Sequence, residues 1–287
     1  MVEPLKKLEP ERMTCMEIWG GNRAIDKYFE APGLDIYVHC APYKDSQTGG
    51  GDIYYLTSCA SGRISRFLLA DVSGHGESAS AIAVSLRDLL RKNVNKISQQ
   101  QFVTEMNVEF GELGEDSGFA TAVVATFFEP KKTLDISVAG HPYPIYYRAL
   151  KQKWVHLDSA DLDEGLENLP LGIHDDSNYP GRKITIAEED MFLLYSDAFI
   201  ESDDTQAKML GIKGVLEILN GADRLLPADV IPFLRSKIGT MADGNLTDDD
   251  ATMILGHFTS TKVRMRDNLM APFRLLGDVC DNTQLHK

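Results

Sequence analysis

The sequence has few cysteines, no long apolar run and a shortage of positive charge, and each lack excludes a class of protein. Its four cysteines lie far apart without a C-x-x-C pair, which is typical of reduced thiols rather than of a disulfide framework or a zinc site. Residues 1–11 are charged, and no uncharged apolar stretch reaches the roughly 18 residues of a membrane span. We therefore expect no signal peptide, no membrane partner and a cytoplasmic location.

The charge balance restricts the choice of partners. The chain carries 29 Lys and Arg against 43 Asp and Glu, a formal net charge of −14. Phosphate backbones attract an excess of positive charge and repel its opposite. We expect no nucleic-acid partner, and instead proteins or metal ions.

The hydrophobic pattern predicts a chain of mixed strands and helices. Apolar and polar residues alternate from Leu34 to Cys40, the period of a half-buried strand. Further predicted strands span residues 52–59, 64–70, 119–128, 134–139 and 191–195, and apolar residues at helical spacing occur within 79–90, 102–110 and 212–219.

The order of these elements indicates the fold class and the domain organisation. The strands come in adjacent runs rather than alternating with helices, which favours antiparallel sheets covered by helices over a doubly wound parallel sheet. No Pro-, Gly- or Ser-rich linker divides the chain. We expect one domain over residues 34–258, with an N-terminal extension over 1–33 and a C-terminal tail over 259–287.

One segment, from Phe67 to Gly76, combines an apolar strand ending in Asp71 with a glycine-rich turn into a predicted helix. An Asp at a strand end, followed by flexible backbone, can direct its oxygens and a neighbouring carbonyl at a hard cation. An isolated D-x-x-G is more often a plain turn closed by the Asp side chain. This segment alone therefore leaves both interpretations open.

The same arrangement recurs elsewhere in the chain, which favours a metal site. Asp197 follows the apolar run 191–195, Asp249 lies in an acidic cluster ahead of another apolar run, and Asp52 follows three glycines at the start of a strand. Strand ends gathered at one edge would concentrate these carboxylates, and divalent cations would keep them ionised. Ligands that are all oxygen favour magnesium or manganese over zinc.

Six short motifs occur in the following order along the chain: Gly50-Gly51-Asp52-Ile53-Tyr54, Asp71-Val72-Ser73-Gly74-His75-Gly76, Ala139-Gly140-His141-Pro142, Leu171-Gly172-Ile173, Tyr195-Ser196-Asp197 and Asp249-Asp250-Ala251-Thr252. In this order they resemble the motifs of PPM-type (type-2C) protein phosphatases, and most closely those of the bacterial SpoIIE and RsbU branch. The resemblance covers residues 34–258. It implies an α+β fold, a four-layer α-β-β-α sandwich with two central antiparallel sheets flanked by helices, and a site for two metal ions at one edge.

The resemblance also implies a role for each matching acid. Asp71 would bridge two Mn²⁺ or Mg²⁺ ions, and the carbonyl of Val72 would bind one of them. Asp197 and Asp249 would hold the other ion, and Asp52 would reach the second ion through water.

The sequence departs from the family pattern at two positions. Tyr55 stands where many members have a second acid after G-G-D, and Ala198 stands where the Asp of the later motif is normally followed by Gly. The first departure affects the outer shell of the metal site, and the second adds a methyl group beside it. Neither removes one of the principal ligands.

The expected chemistry is hydrolysis of phosphoserine or phosphothreonine on a regulatory protein by a water activated by two metal ions. His75, a few residues beyond Asp71, is a candidate proton donor to the leaving oxygen, although a His between glycines can equally hydrogen-bond the turn. His141 also follows a glycine, and a structural role is expected for it. An anti-anti-sigma-type regulator is the substrate that the SpoIIE and RsbU branch suggests, and a homodimer is compatible with the pattern.

Two other functions remain open from the sequence. A non-catalytic relative of the same fold could bind a phosphoprotein without hydrolysing it, and Ala198 is the feature that favours this alternative. A metal-dependent hydrolase of small phosphate esters would share the chemistry, although the sequence contains no nucleotide-binding fingerprint.

Overall fold

The computed structural model describes residues 8–14, 16–43, 49–59, 62–72, 77–93, 96, 98–112, 118–157, 168–262, 269 and 280–285, with the backbone alone for 77–81. His75 and Cys15 lie outside these residues. Within them, no helix is long and apolar enough to cross a membrane.

The described residues form strands and α-helices with the following bounds. The strands are β1 Pro10–Arg12, β2 Glu17–Gly21, β3 Ile25–Ala31, β4 Leu34–Ala41, β5 Asp52–Cys59, β6 Ile64–Val72, β7 Ala120–Phe128, β8 Thr133–Ala139, β9 Ile145–Arg148, β10 Lys153–His156, β11 Arg182–Thr185, β12 Met191–Tyr195, β13 Ala251–Phe258 and β14 Cys280–Gln284. The helices are α1 Glu77–Asn93, α2 Gln99–Gly111, α3 Ala198–Glu201, α4 Gly211–Gly221 and α5 Pro227–Gly239.

The strands form two sheets of seven strands each. The first sheet has the order β1-β3-β4-β13-β12-β9-β10, and the second has the order β11-β8-β7-β6-β5-β2-β14. The inner pairings are antiparallel, whereas the edge strands β1 and β14 pair in parallel with β3 and β2. The predicted antiparallel sheets are therefore mixed, because chain segments from both ends of the sequence add a parallel strand at one edge of each sheet.

Three apolar clusters divide the molecule into four layers. One cluster, which includes Phe67 and Phe192, fills the space between the two sheets. A second joins α1 and α2 to the outer face of the second sheet, and a third joins α3, α4 and α5 to the outer face of the first. The predicted α-β-β-α sandwich is confirmed.

Burial on both faces explains the continuous apolar runs in the central strands. All five residues of β12 and all eight of β13 are buried. A strand covered on both faces has no solvent side on which polar residues can alternate. Asp197 and Asp249 lie just beyond the ends of these two strands.

The segments that the sequence analysis described as an extension and a tail contribute to both sheets. Residues 10–31 supply β1, β2 and β3, and residues 280–284 supply β14. The division of the chain at residues 34 and 258 stays a prediction, but β2 and β3, which precede residue 34, are hydrogen-bonded to β5 and β4, and β14 is hydrogen-bonded to β2.

Candidate metal centre

The ends of four central strands bring the candidate acids to one edge of the sandwich. In the second sheet, Asp52 at the start of β5 pairs with Asp71 near the end of β6. In the first sheet, β12 ends two residues before Asp197 and β13 begins just after Asp250. Since β12 and β13 are antiparallel neighbours, these two ends lie side by side.

Gly51 lies where oxygens from the two sheets converge. A Cβ atom at this glycine would lie 3.1 Å from Oδ1 of Asp71, 3.2 Å from the carbonyl oxygen of Val72 and 3.4 Å from Oδ2 of Asp250. The space beside Gly51 is thus lined by two carboxylates and one main-chain carbonyl. Such an oxygen cradle fits a hard divalent cation.

Asp250 joins the two sheets at this edge, a role that the sequence analysis did not assign. Its Oδ2 accepts a hydrogen bond from Gly51 N–H at 2.5 Å, and its Oδ1 accepts one from Tyr43 N–H at 2.6 Å. These bonds hold the glycine loop ahead of Asp52 against the start of β13. The glycine run was the available signal, because it indicates that another group approaches the backbone closely.

Asp52 is buried, and one of its carboxylate oxygens has no hydrogen-bond donor among the described residues. Its side chain is only 2% exposed, and no donor in the described part of the chain reaches its Oδ2. Burial raises the pKa of Asp52 well above its usual range, with further contributions from Asp71 and Asp250, while the Ser196 and Thr252 hydroxyls act in the opposite direction. A buried carboxylate oxygen without a donor is costly, so a nearby cation fits this position.

The other candidate acids repel one another across the edge. Burial, then the charges of Asp197, Asp249 and Asp250, raises the pKa of Asp71 to about 7. The pKa of Asp197 is raised by burial and by Glu201, and that of Asp249 by burial and by Asp197. Bound cations remove this repulsion and keep all the carboxylates ionised.

As the side chains are placed, no three Asp, Glu, His or Cys side chains among the described residues form a group that could hold a metal ion. We nevertheless regard the residues as fitting a metal, because the candidate ligands include a main-chain carbonyl and because Asp249 is exposed. An exposed carboxylate can rotate about its side-chain torsions at little cost. The fit therefore rests on the oxygen cradle beside Gly51 and on the unpartnered oxygen of Asp52.

Ser196 ties together the two strand ends that carry Asp197 and Asp249. Its hydroxyl donates to the carbonyl of Asp250 at 3.2 Å and accepts from Thr252 N–H at 3.0 Å. The Asp197 carbonyl accepts from Ile200 N–H at 2.8 Å as α3 begins. The backbone that presents Asp197 is therefore fixed on both sides.

His141 lies in the interior next to this edge. One ring nitrogen, Nδ1, is 2.9 Å from the hydroxyl of Thr121, the residue paired with Asp71 between β6 and β7. Burial lowers the pKa of His141 to about 4. The ring is therefore neutral at neutral pH, and a structural role for His141 stays a prediction.

The two departures from the family pattern face away from the candidate centre. Tyr55 is buried in the helix-side cluster of the second sheet, and its hydroxyl donates to the carbonyl of Ala83 in α1 at 2.7 Å. Ala198 packs in the cluster between the first sheet and its helices. Neither side chain therefore occupies the space between the acids.

Comparisons with known proteins agree with this architecture. The model of the family described as stage II sporulation protein E (SpoIIE) matches residues 61–258, a span that contains Asp71, Asp197 and Asp249. A search of curated proteins gives no significant match.

Three solved structures are similar to the chain. The RsbU and RsbW domains of a Mycobacterium tuberculosis protein share 20% identity with a TM-score of 0.65, over 84% of this chain and 64% of that one. The PP2C phosphatase domain of SpoIIE from Bacillus subtilis, with a fragment of its regulatory domain, shares 15% identity with a TM-score of 0.66, over 80% of this chain and 64% of that one. RsbX in complex with magnesium shares 14% identity with a TM-score of 0.59, over 82% of this chain and all of that one.

These likenesses show the PP2C fold. The chain spans 64% of the length of the first two structures.

Proposed function

Because this chain belongs to the stage II sporulation protein E (SpoIIE) family of PP2C-fold phosphatases, we propose that it is a metal-dependent serine/threonine protein phosphatase. The observation that carries the proposal is the convergence of Asp71, the Val72 carbonyl and Asp250 beside Gly51, next to the unpartnered Oδ2 of Asp52. This arrangement is what a phosphatase that relies on divalent cations requires at its centre.

We propose Asp52, Asp71, the Val72 carbonyl, Asp197 and Asp249 as the residues that would hold two divalent cations, Mn²⁺ or Mg²⁺. When bound, such ions would supply a nucleophilic water at neutral pH and neutralise charge on the phosphoryl group. Magnesium in the RsbX structure supports this choice of ion class.

The protein's own contribution is the positioning of these oxygens. Asp250 fixes the glycine loop that places Asp52, and Ser196 fixes the backbone that places Asp197. We propose that His75 donates a proton to the leaving serine or threonine oxygen. This role requires that the His75 ring lie within hydrogen-bond reach of that oxygen and that its pKa lie near the working pH.

We propose that the substrate is a phosphoserine or phosphothreonine on a regulatory protein, of the anti-anti-sigma type. The similar Mycobacterium tuberculosis structure contains RsbU and RsbW domains, which supports a regulatory protein as partner. A homodimer and a cytoplasmic location remain predictions. The Ala198 methyl group, which favoured a non-catalytic relative, packs away from the acids and so gives that alternative little support.

The proposal can be tested by following hydrolysis of an aryl phosphate and of a phosphoprotein with manganese and with excess chelator. Asp71→Asn is the test variant. Asp135→Asn is the matched control, because Asp135 is a partly buried Asp on β8 that pairs with Lys183 on β11. We expect metal-dependent turnover that Asp71→Asn abolishes and Asp135→Asn retains. Full activity in chelator would overturn the metal mechanism, and activity on the aryl phosphate alone would favour a small-ester hydrolase.

A further inference from the structure

Strand β14 covers one edge of the second sheet, and the proposed function gives it no role. It pairs in parallel with β2 over five residues, from Cys280 opposite Glu17 to Gln284 opposite Gly21. Just before this ladder, Cys280 N–H donates to the carbonyl of Met16 at 2.8 Å. The backbone groups along this edge of β2 are therefore paired with the chain's own C-terminal segment.

Strand β2 is adapted to a close neighbour on this side. Gly21 has φ +150°, and a Cβ atom there would lie 2.4 Å from the carbonyl oxygen of Gln284. A side chain at this position would collide with β14 in the observed register. Glycine removes the collision and tolerates the backbone conformation.

Helix α1 provides a second contact for the same segment. Oδ2 of Asp281 lies 3.6 Å from Nε of Arg87 and 3.5 Å from Nη1 of Arg91. Leu285 packs on the cluster that holds α1 against the second sheet, as does Leu89 of α1. Residues 280–285 therefore bridge β2 and a basic face of α1.

Helix α1 is directly connected to the candidate metal centre. It begins at Glu77, four residues after Ser73 and close in sequence to Asp71 and Val72. The Tyr55 hydroxyl bonds the helix to β5, the strand that starts at Asp52. Ala83 lies one turn of α1 before Arg87, so a contact that steadies the helix at Arg87 is linked through Tyr55 to β5.

The contacts that hold β14 against the rest of the protein are weak, so the strand can detach at low free-energy cost. The ion pairs of Asp281 with Arg87 and Arg91 are long, at 3.6 and 3.5 Å, and the Arg91 side chain is 39% exposed, so these pairs contribute little free energy and the Arg91 pair is screened by salt. The residues of β14 are exposed or half-buried rather than buried. Segments with few buried apolar contacts open at low free-energy cost.

We infer that residues 280–285 form a detachable strap, whose docking edge is β2 together with Arg87 and Arg91 of α1. Docking of the strap steadies α1 and, through it, the chain that carries Asp71 and Val72. The effect on metal binding rests on the proposed function, whereas the docking itself does not.

Hydrogen exchange of the full-length protein tests the docking without reference to activity. Asp281→Lys replaces two attractions with two repulsions, and Glu217→Lys on the exposed face of α4 makes the same charge change far from the strap. We expect amides of β2, β14 and α1 to exchange about three- to tenfold faster in Asp281→Lys and unchanged in Glu217→Lys. High salt should speed exchange of the same amides in the wild type. Equal protection of α1 in all proteins would overturn the strap.

A charge swap separates strap release from a general loss of folding. Asp281→Lys combined with Arg91→Glu restores one attraction between the strap and α1 and keeps the Arg87–Asp88 ion pair, so it should return α1 exchange part of the way towards the wild-type rate. Failure of the swap to restore protection would contradict a specific Asp281 contact.

Calorimetric titration with manganese then tests the link to the metal centre. Asp281→Lys should bind manganese several-fold more weakly than Glu217→Lys and wild type. Faster α1 exchange with unchanged manganese affinity would overturn the link while leaving the strap. A wild-type protein that binds no manganese would instead contradict the proposed function, and the exchange data would still decide whether the strap exists.

Discussion

Replacing Asp250 by Ala should destabilise the protein even when no metal is present. Its carboxylate accepts short hydrogen bonds from Gly51 N–H and Tyr43 N–H and a longer one from Asp52 N–H, which Ala cannot replace. Hydrogen bonds to charged groups contribute about 1.5–3 kcal/mol each, so losing the two short ones removes up to about 3–6 kcal/mol. Relief of repulsion with Asp52 and Asp71 returns part of this loss, and we expect a net cost of about 2–4 kcal/mol in chelator.

The neighbouring acid provides the matched control. Asp249 is exposed and accepts a hydrogen bond from Asp250 N–H at 2.8 Å, a local contact within one turn of chain. Asp249→Ala should therefore cost less than about 1 kcal/mol in chelator, since exposed substitutions away from special contacts change stability little. As a proposed ligand, however, it should lose most of the stabilisation that manganese gives.

Urea unfolding in chelator and in manganese measures both effects. The free energy of unfolding should fall for Asp250→Ala in chelator and stay close to wild type for Asp249→Ala. The metal-dependent increase should be small for Asp249→Ala. If Asp250→Ala were as stable as wild type in chelator, the link between the two sheets at Gly51 would be wrong.

Three further outcomes follow from the same structure. Asp71→Asn should abolish turnover without unfolding the protein, as circular dichroism and rate measurements would show; near-normal turnover at saturating manganese would mean that the active site lies elsewhere. Manganese should raise the thermal midpoint, because each ion that binds only the folded protein adds about 2.7 kcal/mol at a hundredfold excess over its Kd; an unchanged midpoint would argue against a preformed site. Burial opposes protonation of His257, but the carboxylates of Asp35 and Glu189 outweigh burial and raise the pKa of this histidine. The stability that protonated His257 contributes is therefore complete below the unfolded pKa of about 6.5 and is lost as pH rises through the higher folded pKa. A His257→Gln variant whose stability falls as steeply as that of the wild type over this pH range would refute the assignment.

The acids at strand ends could be recognised from sequence because the strands before or after them are buried on both faces. The run 191–195 has no polar residue until Ser196, so Asp197 stands out at its end. The structure brings Asp197, Asp249, Asp71 and Asp52 to the same edge, and their individual roles as ligands stay predictions. The resemblance to PPM-type phosphatases of the SpoIIE and RsbU branch, and the sandwich that it implied, are confirmed.

Features that depend on contacts between distant segments could not be predicted in this way. Asp250 looked like one acid among three, and its hydrogen bonds to the glycine loop exist only once the two sheets face each other. The sequence of β14, Cys-Asp-Asn-Thr-Gln, has no apolar alternation, because its pairing depends on β2 and on Arg87 and Arg91 of α1. Tyr55 could be interpreted as a missing acid only until its strand face was known.

Anomalous diffraction at the manganese edge, from crystals grown with manganese, would locate the ions themselves. We predict manganese peaks at the strand-end edge, with Asp71 and the Val72 carbonyl among the ligands, and their loss in Asp71→Asn. Crystals with manganese in excess and no anomalous peak near Asp71 would contradict the assignment of this edge as a metal centre.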